Sequence, residues 1–416
     1  MAKSKQLKYE KKTSKEAMEL ENKYGAHNYH PLPVVLAKGE GVYLFSPEGK
    51  RYYDFLSAYS AVNQGHCHPR LVQIIQEQAG ILTLTSRAFY SNWLGPYEEK
   101  MTKLFGYDKL LPMNSGAEAV ETALKLARRW GYDKKGVLPN QAKIIVCENN
   151  FHGRTITIVG FSTDPESYGG YGPFTPGFVK IPFDSPDALK SAINSNTVAF
   201  LVEPIQGEAG VYVPEDGYLK NCRKICTDAG ILMIADEIQT GLCRTGKMLC
   251  CDYEAVRPDI LILGKALSGG FMPVSAVLAD DEIMLNIKPG QHGSTFGGSP
   301  LACRIAMEAI DILIEENLSE NASKMGKIFR EGLMKLNSPL IKTVRGKGLL
   351  NALVIEPIIV KGETKTAWDV CLKLAENGLL AKPTHNDIIR FAPPLVINEK
   401  QIEECLDIIR RCLEQF

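Results

Sequence analysis

The strongest constraint on how this chain can fold is a rhythm in its middle. Short apolar runs alternate with stretches whose apolar residues recur at helical spacing. Lys143–Cys147 (KIIVC), Val198–Val202 (VAFLV), Ile231–Ala235 (ILMIA) and Ile260–Leu263 (ILIL) are too short for helices, and they lack the polar alternation of a strand with one wet face. Tyr218–Ala229, between the second and third runs, has the spacing of an amphipathic helix. A strand apolar on both faces has to be covered on both, and helices in the connections do the covering. The reading is an α/β fold with a mostly parallel central sheet flanked by helices.

The remaining segments attach to that frame. The first residues, to about Tyr24, are polar, lysine-rich and expected to be partly frayed. Val42–Phe55 reads as a β-hairpin turning at Pro47–Gly49. After Gly298 a helical pattern runs from Pro300 to Glu315, with more helix to Leu336. The last hundred or so residues mix strands (Gly348–Ile355, Ile388–Ala392) with helices (Ala367–Asn377, Glu399–Glu414), and Glu356–Thr366 reads as a loop or hairpin insertion. The chain's 416 residues exceed what one core holds, roughly 250–300 residues. The expected division is an N-terminal segment (1–59), a large cofactor-binding domain (60–318) and a smaller α+β C-terminal domain (319–416).

Charge narrows the partners. Lysine plus arginine total 48 and aspartate plus glutamate total 48, so bulk electrostatics offers no grip on nucleic acid or an anionic membrane. Anionic ligands have to be met by a few chosen groups. The opening stretch, MAKSKQLKYEKKTSKEAMEL, has no apolar core of the secretory kind. The apolar runs fall far short of the ~18 residues needed to span a bilayer. The eleven cysteines show no Cys-x-x-Cys spacing. Together these features lead to the expectation of a cytoplasmic protein with reduced, mostly buried thiols.

Ligands of open α/β sheets bind at the carboxyl ends of the strands, so the residues after each run are the candidates. Val198–Val202 is followed by Glu203 and then Glu208, Ile231–Ala235 by Asp236 and Glu237, and Ile260–Leu263 by Gly264 and Lys265. Lys143–Cys147 leads to Phe151, His152 and Arg154. A lysine set behind a buried strand loses solvation; this lowers its pKa and makes it a nucleophile able to form a Schiff base. The plainer alternative is a lysine snorkelling to the rim of the sheet. A carboxylate on a neighbouring strand end, Asp236, can keep a pyridinium nitrogen protonated, although aspartate also caps helices. Lysine and carboxylate together are what a pyridoxal phosphate enzyme requires. Ser115 and Glu118 fit a capping box ahead of Ala117–Trp130. The amides and positive dipole end of such a helix can seat a phosphate, although a well-capped helix alone also explains the motif. Gly293–Gly298, with the hydroxyls of Ser294 and Thr295, precedes a second helix. Gly241–Lys247 imitates a P-loop, but Met248 stands where a magnesium-binding hydroxyl belongs, so a nucleotide site is rejected. His66-x-His68 has no further ligand in view and is read as loop, with no metal.

From about Tyr24 to Phe416, through stretches such as VEPIQGEAGV, IADEIQTGLCRTG, PDILILGKALSGG, HGSTFGG and LLAKPTHNDIIRFAPPL, the sequence resembles the fold-type I, pyridoxal-phosphate-dependent aminotransferases of the ω-amino acid (class III) group. DEIQTG and LGKALSGG are specific to the group, and the tyrosine-bearing NYHPL and SAYSAVNQGH blocks point to ornithine as the donor. The resemblance implies ping-pong transfer of the δ-amino group of L-ornithine to 2-oxoglutarate, giving glutamate 5-semialdehyde and glutamate. Acetylornithine and 4-aminobutyrate are the alternative donors. It implies pyridoxal 5'-phosphate as cofactor and a homodimer with the active site at the subunit interface. Lys265 would form the Schiff base and carry the proton, Asp236 would hold the ring nitrogen, Gln239 would contact the phenolic oxygen, and Phe151 would stack on the ring. Ser115, Gly116 and Ala117 would hold the phosphate, with Thr295 and Ser294 reaching it from the neighbouring subunit. Tyr29 and Tyr59 would fix the α-amino acid end of ornithine, and Arg154 would pair with a carboxylate. Arg390 would clamp the second carboxylate of the keto acid, with Glu208 neutralising Arg390 while ornithine is bound. The group usually shows a second aromatic after the stacking phenylalanine; here it is His152, for which the resemblance supplies no role.

Overall fold

A computed structural model describes residues 11–336, 338–360 and 363–416. Its centre is a seven-stranded sheet in the order Lys109–Met113, Ser275–Ala279, Ile260–Leu263, Leu232–Asp236, Thr197–Val202, Lys143–Cys147, Phe178–Ile181. Only Ser275–Ala279 runs against its neighbours; the other pairings are parallel. All four apolar runs are strands of this sheet, in its interior. The three further strands give weaker signals for physical reasons. Lys109–Met113 contains Pro112, which cannot donate to a ladder and is tolerated at the sheet's edge. Phe178–Ile181 is the other edge and is half-wet, and Ser275–Ala279 is built of small residues.

Successive side chains serve opposite faces of the sheet. Ile260 and Ile262 pack with the helix Gly116–Asp133, whereas Leu261 and Leu263 pack with the helices Pro300–Glu315 and Leu318–Lys335 on the other side. A C-terminal antiparallel sheet, Ile341–Lys347, Leu350–Ile355, Ile388–Phe391 and Lys382–Thr384, shares that second core with the helices Ala367–Glu376 and Glu399–Leu413. The insertion at 356–366 includes a hairpin of Ile358–Val360 and Glu363–Lys365, whose connecting residues lie outside those described.

The described part of the N-terminal segment is helical, where partial fraying was expected. Thr13 and Glu16 form a capping box that starts the helix Ser14–Tyr24, and Ser14 donates to Glu48 through both its amide and its hydroxyl. Residues 1–10 lie outside those described. The Val42–Phe55 hairpin forms as Tyr43–Phe45 paired with Arg51–Asp54. Its outer strand then pairs in parallel with Leu379–Leu380, so the N-terminal sheet is completed by a segment some 325 residues later, a span on the order of the separation between Lys50 and the Ala375 carbonyl it contacts.

The stretch that imitates a P-loop does a different job. Arg244 is fully buried and donates to the carbonyls of Leu349 (2.9 Å) and Pro393 (2.6 Å) and to Asn63 Oδ1 (2.6 Å). Leu349 precedes Leu350–Ile355 and Pro393 follows Ile388–Phe391, so one guanidinium ties two strands of the C-terminal sheet to the loop behind Asp236. All eleven cysteines are free thiols, and Cys67 alone is exposed. His66 pairs with Asp54 and His68 with Glu316. Among the described residues no helix is long and apolar enough to cross a membrane.

Arg244→Leu leaves three acceptors without a donor, each costing roughly 1–3 kcal/mol. The unfolding free energy from denaturant titration is expected to fall by about 3 kcal/mol or more. A loss within experimental error would mean that the clamp is dispensable.

Candidate active site

The carboxyl ends of the central strands converge on a cavity of about 190 Å³, lined among others by Gly116, Phe151, Glu203, Glu208, Asp236, Gln239 and Lys265. Lys265 follows Ile260–Leu263 after one glycine and begins a short 3₁₀ turn. Its φ is 46°, a left-handed conformation that costs a lysine energy and that occurs where a site demands it. Its side chain lines this cavity. Burial pushes its amine below the usual lysine range, while the nearby carboxylates of Glu208 and Asp236 act the other way.

Asp236 ends its strand beside Lys265. Its Oδ1 accepts from Ile238 N at 3.1 Å, and its Oδ2 pairs with His152 Nδ1 at 2.7 Å. Both side chains are buried. Burial by itself would lower the imidazole's pKa, but the hydrogen bond and charge of Asp236 outweigh it, and the net shift is upward. This gives position 152 a role that sequence reasoning left blank: the imidazole holds one oxygen of Asp236 in place. Glu203, also buried, accepts from Phe151 N at 3.0 Å and is pushed up to about 7 by burial. Glu203 was noted at a strand end but given no role; its signal, a carboxylate directly after a buried strand, was the same as that of Asp236.

A second network reaches the cavity from the C-terminal sheet. Arg390, in Ile388–Phe391, is 2% exposed and stands 2.7 Å from Glu208 Oε1. The contact is an ion pair without an aligned hydrogen bond, because Nε and Nη1 of Arg390 find no aligned acceptor among the described residues. Glu208 Oε1 also accepts from Gln239 Nε2 at 3.0 Å. Burial would raise the Glu208 carboxyl, but Arg390 and Lys265 overcome it and the net shift is downward. Gln239 Oε1 is buried without a partner among the described residues. Gly207 makes this arrangement possible, since a β-carbon there would lie 1.5 Å from that oxygen.

The helix Gly116–Asp133 points its first turn at the cavity, with the Ser115–Glu118 capping box in place. The amides of Gly116 and Ala117 belong to the turn that has no intrahelical acceptors. A β-carbon at Gly116 would stand 2.9 Å from Ile238 Cδ1, which ties the helix start closely to the loop after Asp236. Ser294 Oγ accepts from Asn114 Nδ2 at 2.7 Å beside this helix start, whereas Thr295 is exposed and does not line the cavity.

The remaining sequence candidates lie at its margins. Tyr59 places its ring 5.2 Å from Arg390 Cζ. Tyr29 is 70% exposed, with Lys382 Nζ 5.6 Å from its ring centroid, and Lys382 is paired across the sheet with Arg390. Arg154 is exposed, lies 5.6 Å from the Phe151 ring centroid and donates to Ser167 Oγ. Within one chain, therefore, Lys265, Asp236, Gln239, Phe151, Gly116, Ala117 and Glu208 meet in the cavity, Arg390 and Tyr59 stand behind Glu208, and Tyr29, Arg154 and Thr295 remain at the rim or surface.

A buried amine, a carboxylate on the neighbouring strand and a helix N-terminus around one cavity define a pyridoxal-phosphate site on a fold-type I scaffold. The chain belongs to the class-III aminotransferases: the Aminotransferase class-III family profile matches residues 24–413. The mitochondrial ornithine aminotransferase of Drosophila melanogaster is 63% identical over 394 residues, 94% of this chain and 90% of that protein. Among solved structures, the ornithine aminotransferase from Toxoplasma gondii superposes with a TM-score of 0.94 at 46% identity, covering 97% of this chain and 94% of that one. The acetylornithine aminotransferase from Elizabethkingia anophelis superposes with a TM-score of 0.88 at 57% identity, covering 98% and 100%. The cofactor of this enzyme is pyridoxal 5'-phosphate, and the residues fit it: the side-chain amide of Gln239, the first-turn amides and the amine of Lys265 are the groups that its ring oxygen, phosphate and carbonyl call for.

The raised carboxyl of Glu203 has a consequence for stability. A folded-state value of about 7, against an ordinary 4.5, means that stability present below pH 4.5 is lost as the pH rises towards 7. Glu203→Gln removes that loss. The variant's stability relative to the parent is expected to grow from pH 4.5 to 7, by up to roughly 3 kcal/mol, and then to level off. Thermal melts across this range check it; a constant difference would contradict burial as the cause.

Proposed function

We propose that this aminotransferase moves the δ-amino group of L-ornithine to 2-oxoglutarate in a ping-pong cycle, releasing glutamate 5-semialdehyde and then glutamate. The observation that carries the reading is the Glu208–Arg390 pair beside Lys265. One site has to accept two kinds of partner in turn: a side-chain methylene bearing an amine, and an α-keto acid with a carboxylate next to the reacting carbon. A buried guanidinium facing an uncharged chain would be costly, so a carboxylate that neutralises it suits the first partner. Withdrawal of that carboxylate suits the second, because guanidinium pairs with a carboxylate bidentately. The relatives named for ornithine support the same donor.

When bound, pyridoxal phosphate supplies an electrophilic carbonyl carbon and a ring that takes up an electron pair. The chain's residues do the rest. Lys265 Nζ, whose pKa burial lowers, is the nucleophile for that carbonyl and the base that carries a proton from the donor's δ-carbon. Asp236, fixed by His152, keeps a proton on the ring nitrogen. Gln239 Oε1 or Nε2 meets the ring's phenolic oxygen, Phe151 covers one face, and Gly116 and Ala117 with Ser115 hold the phosphate. Thr295, with Ser294, completes the phosphate seat of a second copy in a homodimer, and the exposed Phe296 and Tyr90 give that assembly apolar surface to bury. Tyr29, Tyr59 and Arg154 receive the α-amino acid end of ornithine. We place the enzyme in a reducing compartment such as the cytoplasm, on the ground of its free thiols; the Drosophila relative is named mitochondrial.

The second reading keeps the chemistry and changes the donor to acetylornithine, which the Elizabethkingia neighbour's name favours, or to 4-aminobutyrate. Measuring kcat/KM for the three donors decides between them, with ornithine expected to lead by tenfold or more; a lead for acetylornithine would overturn the donor assignment. Lys265→Ala is expected to abolish turnover and the borohydride-trappable yellow adduct. Arg390→Ala should lower kcat/KM for 2-oxoglutarate by roughly 10- to 100-fold, the worth of hydrogen bonds to a charged group. It should spare the ornithine half-reaction, and equal loss in both would argue against the two-state pair.

A further inference from the structure

Beside Arg390 the backbone adopts a costly conformation. Ser57, Ala58, Tyr59 and Ser60 have φ of 48°, 47°, 61° and 71°. Four consecutive non-glycine residues in the left-handed region form a left-handed helical turn. Tyr59 N and Ser60 N donate to Leu56 O, and Ala61 N and Val62 N to Ser57 O. In such a turn each β-carbon crowds the following carbonyl, so its own hydrogen bonds do not suffice to hold it.

The neighbouring contacts show what holds it. Asp54, 3% exposed, accepts at Oδ1 from Leu56 N (2.9 Å) and Ser57 N (2.8 Å), the two amides that enter the turn. Its Oδ2 lies 2.7 Å from His66 Nε2. His66 is itself fixed by a two-way backbone bridge with Gly41, at 3.0 and 2.8 Å. It also packs on Gly39, where a β-carbon would stand 2.9 Å from His66 Cβ. What the turn delivers is Tyr59, with its ring 5.2 Å from Arg390 Cζ.

We propose that Asp54, braced by His66, is a positioning residue: it holds the Ser57–Ser60 turn left-handed, sets Tyr59 against Arg390, and so governs acceptance of the amino-acid end of the donor without touching substrate or cofactor. The inference rests on the donor reading given above for Tyr59 and Arg390. Glycine adopts left-handed φ without the β-carbon penalty, so the lock and the strain can be separated experimentally. Ala58 is exposed, and Ala58→Gly deletes only a methyl group.

The test uses the full-length holoenzyme. Asp54→Asn, which weakens the pair with His66, should raise KM for ornithine five- to twentyfold while kcat and the absorbance of the bound cofactor stay within twofold and a few nanometres of the parent. Adding Ala58→Gly should return KM to within about twofold of the parent. In a Tyr59→Ala background, Asp54→Asn should have no further effect on KM. Ala58→Gly alone should raise the melting temperature by about 1 °C or more. An Asp54→Asn defect that Ala58→Gly leaves unrelieved, or one that adds in full to Tyr59→Ala, overturns the proposal. So does a lower melting temperature for Ala58→Gly. That last measurement needs no substrate and stands even if Asp54→Asn does not fold. Absence of ornithine turnover in the parent enzyme would instead sink the donor reading, leaving the melting experiment to decide the lock.

Discussion

Glu208 and Arg390 come from different sheets, and their 2.7 Å ion pair is where the two meet at the cavity. Glu208 sits in the loop after Thr197–Val202, Arg390 inside Ile388–Phe391. With Arg390 2% exposed, the guanidinium has almost no contact with water. Arg244 ties the end of Arg390's own strand and the start of its neighbour, Leu350–Ile355, to the loop behind Asp236. Gly207 lets Gln239 approach Glu208, and the Ser57–Ser60 turn lays Tyr59 beside the charge. A buried pair of this kind adds little to stability on its own. On the proposed function, its worth lies in opening when the keto acid's carboxylate arrives.

The other end of the cavity uses burial differently. Three ionisable side chains, Glu203, His152 and Asp236, lie out of solvent at the ends of adjacent strands. Asp236 draws the imidazole's pKa up despite burial, and burial leaves Glu203 near 7. Lys265 completes the group with a strained backbone and a lowered amine. A sheet that is apolar on both faces makes such groups interact strongly, because no solvent screens them.

Legibility followed signal strength. Four of the five interior strands were readable because burial on both faces leaves continuous apolar runs, and the helix start at Ser115 because its capping box is local. The edge strand Lys109–Met113 was hidden by Pro112, which argues against a strand anywhere but an edge. The Thr13 capping box was passed over because the surrounding lysines read as a partly frayed end. Arg244 was obscured by a false nucleotide motif. The left-handed turn gives no signal at all, since Ser-Ala-Tyr-Ser contains none of the residues that favour positive φ. Lys265, Asp236, Glu208 and Arg390 were named from strand ends and from family resemblance, but their mutual distances were not.

The sequence alone determined the α/β class, four of the sheet's five inner strands and the set of chemically able residues, because periodicity, caps and apolar runs are local properties of the chain. Only the tertiary structure decided which of them act together. It put His152 against Asp236, placed Glu208 between Gln239 and Arg390, closed the N-terminal sheet with Leu379–Leu380, and left Tyr29, Arg154 and Thr295 at the rim or surface of the single chain. These pairings join residues tens to hundreds of positions apart. Their geometry depends on how whole sheets pack, and no local pattern encodes it.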